Sequence, residues 1–439
     1  MTGYGGQPGK TIVIGGGLAG LMAAGRLAKA GESVVLLERS AVLGGRGQSV
    51  RRGEAWLNLG GHAFYKGGAF DQVLTGLNVK VTGAAPPSNR ARLMWGGRLV
   101  SLPKLLASGS CLSLSGKASL AGMLLRMGRP ASMPDAQMTL REYAERMAGD
   151  PAARHMLYAL LRTASYTLDP DHQLARPVVR TLLRSFKDGL LYVDGGWQQI
   201  VDQLATAAVQ GGADLRTGQP IAEVVRGAEG EGVRGVRLQD GTIVEADRVI
   251  MAVSPSECMR LVPGAELTVL RRWKEEARPS AVASLDLCLR KLPVPGRPFV
   301  LGIDQPLFFS NHSASARLSD DGSVVVHVTK YHGTEPSDPK ADERMLEGFV
   351  DLAQPGWRKE LIARQFLPRI TVVPDYMHTR RTEINVGPCV PEVDGLFVAG
   401  DWASHDDELL ADAAAGSAIR ASDAIIAGRR AAGALQAIV

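Results

Sequence analysis

Short, continuously apolar runs of β-like composition lie near both ends of the chain, with a longer helical stretch between them. Residues 11–15 are a β-branched run ending in glycine, residues 18–30 have helical composition, and Gly31 stands where a C-terminal cap belongs. Residues 33–37 form a second apolar run. Strand, glycine turn, helix and strand make one βαβ unit and predict a parallel sheet. Near the far end, residues 395–400 predict a buried strand and residues 411–427 an alanine-rich helix able to pack closely.

Between these ends the period changes. Residues 90–103 predict a hairpin around Gly96-Gly97 that leads into a Pro-marked turn, and residues 105–127 predict helix in pieces. Thr139 and Glu142 are spaced as a capping box, and Asp150-Pro151 opens another helix that should bury Met156, Leu157, Leu160 and Leu161. Short elements return after residue 191: a helix over 198–209, then strands over 214–217, 221–226, 233–239 and 242–245, with Asp240-Gly241 as a tight hairpin turn. An apolar strand over 247–253 ends at Ser254-Pro255. Residues 281–289, 299–303 and 323–330 predict strands of a second sheet, followed by a helix over 341–352.

A length of 439 residues favours two domains. The net charge of +5 is small, and aromatic residues make up only 5%, which argues against a nucleic-acid surface. Cys111, Cys258, Cys288 and Cys389 form no CxxC pair, so neither a disulfide scaffold nor a zinc or other metal site is expected. The polar start of the chain lacks the build of a signal peptide, and no 18-residue apolar run is present. A cytoplasmic protein without a transmembrane segment is the expectation, with peripheral membrane contact left open.

The strongest chemical signal is Gly15-Gly16-Gly17-Leu18-Ala19-Gly20. Gly15 permits the turn out of the strand, Gly17 lets a pyrophosphate approach, and Gly20 lets helix and sheet close up. The helix N-terminus offers free amides and a positive dipole end. Glu38, 18 residues past Gly20 at the end of the next strand, is placed to accept from ribose hydroxyls. An ordinary glycine cap followed by a surface Glu would rarely fall in all three contexts. The fingerprint alone does not separate NAD from FAD.

Leu43-Gly44-Gly45-Arg46 resembles the GGR element of the FAD-dependent amine oxidase, protoporphyrinogen oxidase and carotenoid (phytoene) desaturase superfamily. By resemblance, Gly45 and Arg46 form a second clamp on pyrophosphate, for which a guanidinium fork is well suited. The run from Gly395 through Gly400 to Asp401 is similar to the late FAD segment, and the stretch from Ala413 to Ala418 to its GA-x-x-SG text, with alanine for glycine at 413 and 418. That places Gly400 and Asp401 near ribityl and phosphate, and Ala414 near the flavin pyrimidine edge. Asp194-Gly195-Gly196-Trp197, Ile221 (toward adenine) and the run from Ala246 to Ile250 match the central return. The resemblance implies an α/β fold: an FAD-binding Rossmann-like domain of the GR2 type with an inserted mixed sheet-plus-helical substrate domain. It divides the chain into an FAD domain of residues 1–70, 191–260 and 381–439 and a substrate domain of residues 71–190 and 261–380. Non-covalent FAD is expected.

The superfamily passes hydride from a substrate C–H bond to flavin N5. Amine oxidases add a lysine near N5 and an aromatic pair. Neither is visible: residues 280–285 lack lysine, and the W-x-G-Y element is absent after Asp401. Residues 93–103 and 112–117 resemble the desaturase-like and protoporphyrinogen oxidase-like members. The expectation is therefore an oxidoreductase that desaturates a C–C bond of an apolar isoprenoid or tetrapyrrole-like substrate. A flavin amine oxidase and a non-catalytic flavoprotein are the alternatives. A second nicotinamide fingerprint is missing, so oxygen or a quinone is the expected electron acceptor. Gly61 and His62 fall where the family's glycine loop passes the isoalloxazine, so His62 is a candidate for orienting substrate or flavin. His405, just past Asp401, is a second candidate and Tyr65 a weaker third, while Trp95, Tyr143, Tyr158 and Tyr166 are candidates for a missing aromatic face.

Overall fold

The computed structural model describes residues 9–107, 112–227, 232–334, 336–405 and 407–436. Cys111, Asp406 and most of the N-terminal segment read above lie outside the described residues. Five parallel strands form one sheet in the order Asp214–Arg216, Ser33–Leu37, Lys10–Ile14, Arg248–Met251 and Leu396–Val398. The start, middle and end of the chain all contribute. Successive side chains point to opposite faces, so Val13, Val34 and Leu36 pack toward helix Leu18–Lys29, with helices Gln198–Gln210 and Leu410–Gln436 beside it. Ile12, Ile14, Val35 and Leu37 pack on the other side, against the antiparallel sheet of Ile221–Arg226, Val233–Leu238 and Ile243–Glu245. Burial of both faces explains why these strands read as continuous apolar runs.

A seven-stranded sheet runs in the order Leu361–Val373, Ser280–Leu289, Val324–Tyr331, Leu307–Asn311, Phe299–Gly302, Arg92–Trp95 and Arg98–Ser101. Its second strand, Ser280–Leu289, is paired on both sides and buried throughout. Ala283, Leu285, Leu287 and Leu289 share a core with helix Pro339–Ala353. Val282, Ser284 and Asp286 occupy the opposite face, toward residues 58–61. Helices Leu114–Met127, Leu140–Met147, Pro151–Ser165 and Ala175–Lys187 build a separate core of their own. Among the described residues, no helix is long and apolar enough to cross a membrane.

The predicted hairpin and capping box are both present. Other readings need correction. Pro103 does not mark a turn but sits in the first turn of helix Leu102–Ala107, where its missing N–H costs nothing. The strand before Ser254 is shorter than expected, Arg248–Met251, and the Ser254 hydroxyl then caps helix Pro255–Leu261 by accepting from the Glu257 amide. Leu160 is only partly buried. The longest strand, Leu361–Val373, was not anticipated, because it is a half-exposed edge strand interrupted by Pro368, and both features blur the period-2 signal.

Helix Pro339–Ala353 is tied to the sheet through Asp342, which is 1% exposed. Its carboxylate accepts from Lys330 Nζ, Ser337 Oγ and His332 Nε2, the last at 2.8 Å. Burial opposes ionisation of Asp342, but these three donors outweigh it and hold the carboxyl below its usual range. A depressed folded-state value gives stability that is present above the unfolded-state value, near 3.9, and is lost as pH falls through the folded one. Asp342→Asn should therefore cost about 3 kcal/mol at pH 7 and less at about pH 3, which lies below the unfolded-state value. Urea titrations at the two pH values would measure both effects, and a pH-independent gap would refute the assignment.

Candidate active site

The parallel strands end at a cavity of about 790 Å³, a volume ordinary for a cofactor or ligand site. Ile14, Gly15, Leu37 and Ala252 bring the strand ends to its wall. Gly15 has φ +103°, and a Cβ there would stand 2.6 Å from the Ala252 carbonyl oxygen. A Cβ on Gly20 would stand 2.0 Å from the Gly15 carbonyl oxygen, so helix and turn touch only because residue 20 is glycine. Gly17 is different: nothing lies within 4 Å of a Cβ position there. That open space faces the N-terminus of helix Leu18–Lys29, which has neither a side-chain cap nor an acidic residue in its first turn. Unused amides, a dipole end and free space together fit a pyrophosphate.

Glu38 closes this end. Its Oε2 accepts from the Gly16 amide at 2.6 Å and its Oε1 from the Ser40 amide at 2.8 Å. A carboxylate has about four lone-pair sites, so two backbone bonds leave room for ribose hydroxyls. Gly44 lies against Gly17 in an isolated bridge, and its amide donates to the Gly16 carbonyl at 2.7 Å, which latches the second glycine turn onto the first. Gly45 and Arg46 follow into the cavity wall.

Arg46 donates to both oxygens of Asp401, at 2.6 and 2.8 Å, and also to the Val372 carbonyl. Three of its five N–H groups are thus engaged, leaving two for a ligand. Asp401 is the deeper partner, its side chain 7% exposed against 46% for Arg46. Beside it, Ser417 Oγ accepts from the Gly400 amide at 2.9 Å, setting the start of the last helix against the strand end.

His62 faces two carbonyls, Gly60 at 2.9 Å from Nδ1 and Arg46 at 3.2 Å from Nε2, and its ring leans on Trp197. Burial lowers its pKa, partly countered by the Gly60 carbonyl. Tyr166 has left-handed backbone (φ +57°) at the end of helix Pro151–Ser165, and its hydroxyl donates to the Gly61 carbonyl at 2.8 Å. Behind the glycine loop, Asp286 accepts from His327 Nδ1 and Ser284 Oγ, both at 2.7 Å, and from Gln365 Nε2 at 3.1 Å. His312 stacks on Tyr192 at 3.7 Å and meets His327 edge-on at 4.4 Å. At the apolar end, Val282, Ile370, Leu409 and Leu410 line the cavity together with Tyr65 and Asp412. Burial raises the Asp412 carboxyl, with Arg184 and the Phe70 amide pulling the other way.

Of the residues singled out from sequence, Gly15, Gly17, Glu38, Gly45, Arg46, Gly61, His62, Ile221, Gly400, Asp401 and Ala414 all line the cavity. Gly20 lies behind the wall, and His405 is outside the lining, its amide donating to Glu408 Oε2 at 3.2 Å. Of the four aromatics considered for a substrate face, only Tyr166 reaches the cavity. Tyr143 is buried in the helical core, Tyr158 packs against that core, and Trp95 meets His155 edge-on. Sequence reasoning missed Asp412, Val282, Ile370 and the Asp286–His327 pair, which reach this region only through the packing of distant strands.

A model of the flavin-containing amine oxidoreductase family matches residues 18–284. The chain belongs to this family. It is an FAD-dependent oxidoreductase, and the glycine turns, Glu38 and the open helix end suit that cofactor. Solved structures share the fold. An oxidoreductase from Methanosarcina mazei has a TM-score of 0.75 at 20% identity, covering 94% of this chain and 100% of that one. A redesigned putrescine oxidase gives 0.71 at 16% identity over 95% and 99% of the two chains. A candidate protoporphyrinogen oxidase from Exiguobacterium sp. 255-15 gives 0.71 at 17% identity over 96% and 99%. No curated protein sequence matches the chain.

Glu38→Ala should weaken FAD retention about tenfold while the fold survives, since one charge-assisted ribose contact is worth about 1.5 kcal/mol. Flavin fluorescence released on dilution reads this directly, and unchanged retention would show that Glu38 does not hold the ribose.

Proposed function

We propose that this oxidoreductase desaturates a carbon–carbon bond of an apolar, isoprenoid or tetrapyrrole-like molecule. The observation that carries the reading is the state of the carboxylates lining the cavity. Glu38 is held by two amides, Asp401 by Arg46, Asp412 by Arg184 and the Phe70 amide, and Glu257 by Arg260. An alkylammonium entering the cavity must shed water, and none of these carboxylates is uncommitted. An apolar substrate needs no such partner and gains about 25 cal/mol per Å² buried against Val282, Ile370, Leu409 and Leu410. Strand Ser280–Leu289 carries no lysine. Lys330 lies opposite Ala283 on the next strand and turns away to Asp342.

FAD, when bound, would supply the two-electron acceptor for the substrate hydride. Desaturation also releases a proton from the neighbouring carbon. His62, which lines the cavity, is the group we assign to receive it, at the unprotonated ring nitrogen once that nitrogen turns from its facing carbonyl toward the substrate. Burial keeps its ring neutral at pH 7, yet the Gly60 and Arg46 carbonyls face its two nitrogens. A neutral imidazole can donate to only one of them, whereas the protonated ring satisfies both. Tyr166 steadies the loop through the Gly61 carbonyl. Oxygen or a quinone would serve as the final electron acceptor.

A second reading, amine oxidation, draws on Tyr65 and Tyr166, two aromatic side chains that both line the cavity and can hold a cation over their faces. An anaerobic screen of the holoprotein against porphyrinogens, polyprenoid hydrocarbons and amines, followed by flavin absorbance, separates the two. Bleaching by an apolar substrate and not by amines is expected; rapid bleaching by a simple amine alone would overturn the desaturase reading. With an active substrate in hand, His62→Gln should slow flavin reduction about a hundredfold, the low end of general-base effects.

We also assign non-covalent attachment of the flavin, because Cys258, Cys288 and Cys389 are all absent from the lining. Acid precipitation should leave the yellow colour in the supernatant; colour in the pellet would contradict this.

A further inference from the structure

We propose that helix Leu114–Met127 docks the protein on an anionic lipid surface. The inference does not depend on which substrate is oxidised. Residues 72–134 contain eight Lys and Arg and neither Asp nor Glu. The net charge of +5 for the whole chain therefore divides into +8 for this segment and −3 for everything else. So long a run of one sign marks the segment for an anionic partner.

The helix within that segment is apolar on two opposite faces. Gly116, Leu120, Met123 and Met127, at helical spacing, are buried in the helical core. Leu114, Ala118, Ala121 and Leu125 recur at the same spacing on the opposite side, and all four are exposed. Leu114 is 84% and Leu125 71% exposed, with Leu124 at 53% on the flank. A single exposed leucine means nothing. A whole apolar stripe is what a helix shows when each face has a partner, and here the protein covers only one. Cations accompany the stripe: Lys117 is half-buried on its flank, and Arg129 is exposed just beyond the helix end. Arg126 is held near that end by the Gly122 and Met147 carbonyls at 3.1 and 2.6 Å.

Leucines on one line with basic groups beside them are the build of a helix lying in the membrane interface, its apolar face among acyl chains and its cations among phosphates. At 14 residues the helix is about 21 Å long, too short to span a bilayer. A second copy of the chain fits less well. A two-fold contact through the stripe would bring Lys117 and Arg126 of one copy toward those of the other, with no carboxylate in the segment to offset them. A nucleic acid would match the charge but make no use of the leucines.

The test is sedimentation of the holoprotein with vesicles of phosphatidylcholine, alone or mixed with phosphatidylglycerol. Binding to the mixed vesicles only, with release as salt is raised to about 1 M, is expected. The double variant Leu124→Ser, Leu125→Ser should lower partitioning at least about tenfold, because two leucines lose their burial. Lys117→Gln and Arg129→Gln should each lower it about fivefold. Leu267→Ser, at a position 82% exposed in a different part of the fold, should change nothing. Flavin absorbance and thermal melting establish that each variant is folded. Failure of the wild type to bind mixed vesicles, or wild-type partitioning by the double variant, overturns the proposal. So does concentration-dependent self-association that the double variant abolishes, since that would assign the stripe to a second copy.

Discussion

The contact between Arg46 and Asp401 joins residues 355 positions apart in the chain, both on the wall of the cavity. Its physical basis is the cost of an almost buried carboxylate. Asp401 stands at the end of a buried strand with little water to stabilise its charge, and a planar guanidinium fork is the side chain that satisfies both oxygens at once. Because Arg46 also reaches the Val372 carbonyl, and its own carbonyl faces His62, the pair fixes the second glycine turn, the edge strand and the glycine loop relative to one another. Removing either partner would leave the other charge uncompensated, which is far more costly than never having had the pair.

The same logic governs the rest of the wall. Every carboxylate that lines the cavity is matched by an amide or an arginine, so these acidic groups are spent on holding the protein in place. What is left for a substrate is the apolar end, with two tyrosines and a histidine. His62 is subject to opposing influences there, because burial favours the neutral ring and two facing carbonyls favour the charged one. The Asp286–His327 pair lies directly behind that loop. His327 Nε2 is buried without a partner among the described residues, so the polar row across the sheet is satisfied on one side only. Such a half-satisfied row is costly in a protein interior, and residues 58–61 rest against it.

The parallel sheet and its glycine turns were legible in the sequence because they depend on local rules. A strand buried on both faces must be apolar throughout, a turn at φ +103° demands glycine, and a helix N-terminus facing an anion must lack a cap of its own. The capping box at Thr139 and the hairpin at Asp240-Gly241 were legible for the same reason: each is closed by hydrogen bonds within a few residues. The edge strand over residues 361–373 was not, since half its side chains meet water and one of them is proline.

The sequence by itself determined the parallel-sheet fold and most of the residues that line the cavity, because glycine spacing, the acidic strand end and the late Gly400-Asp401 motif encode contacts that short segments make on their own. Only the tertiary structure decided which aromatic side chain reaches the cavity, that Arg46 and Asp401 hold each other, and that each lining carboxylate is already engaged. Those facts depend on how strands and helices far apart in the chain pack together, and no local pattern records which of Trp95, Tyr143, Tyr158 and Tyr166 a helix end will turn inward.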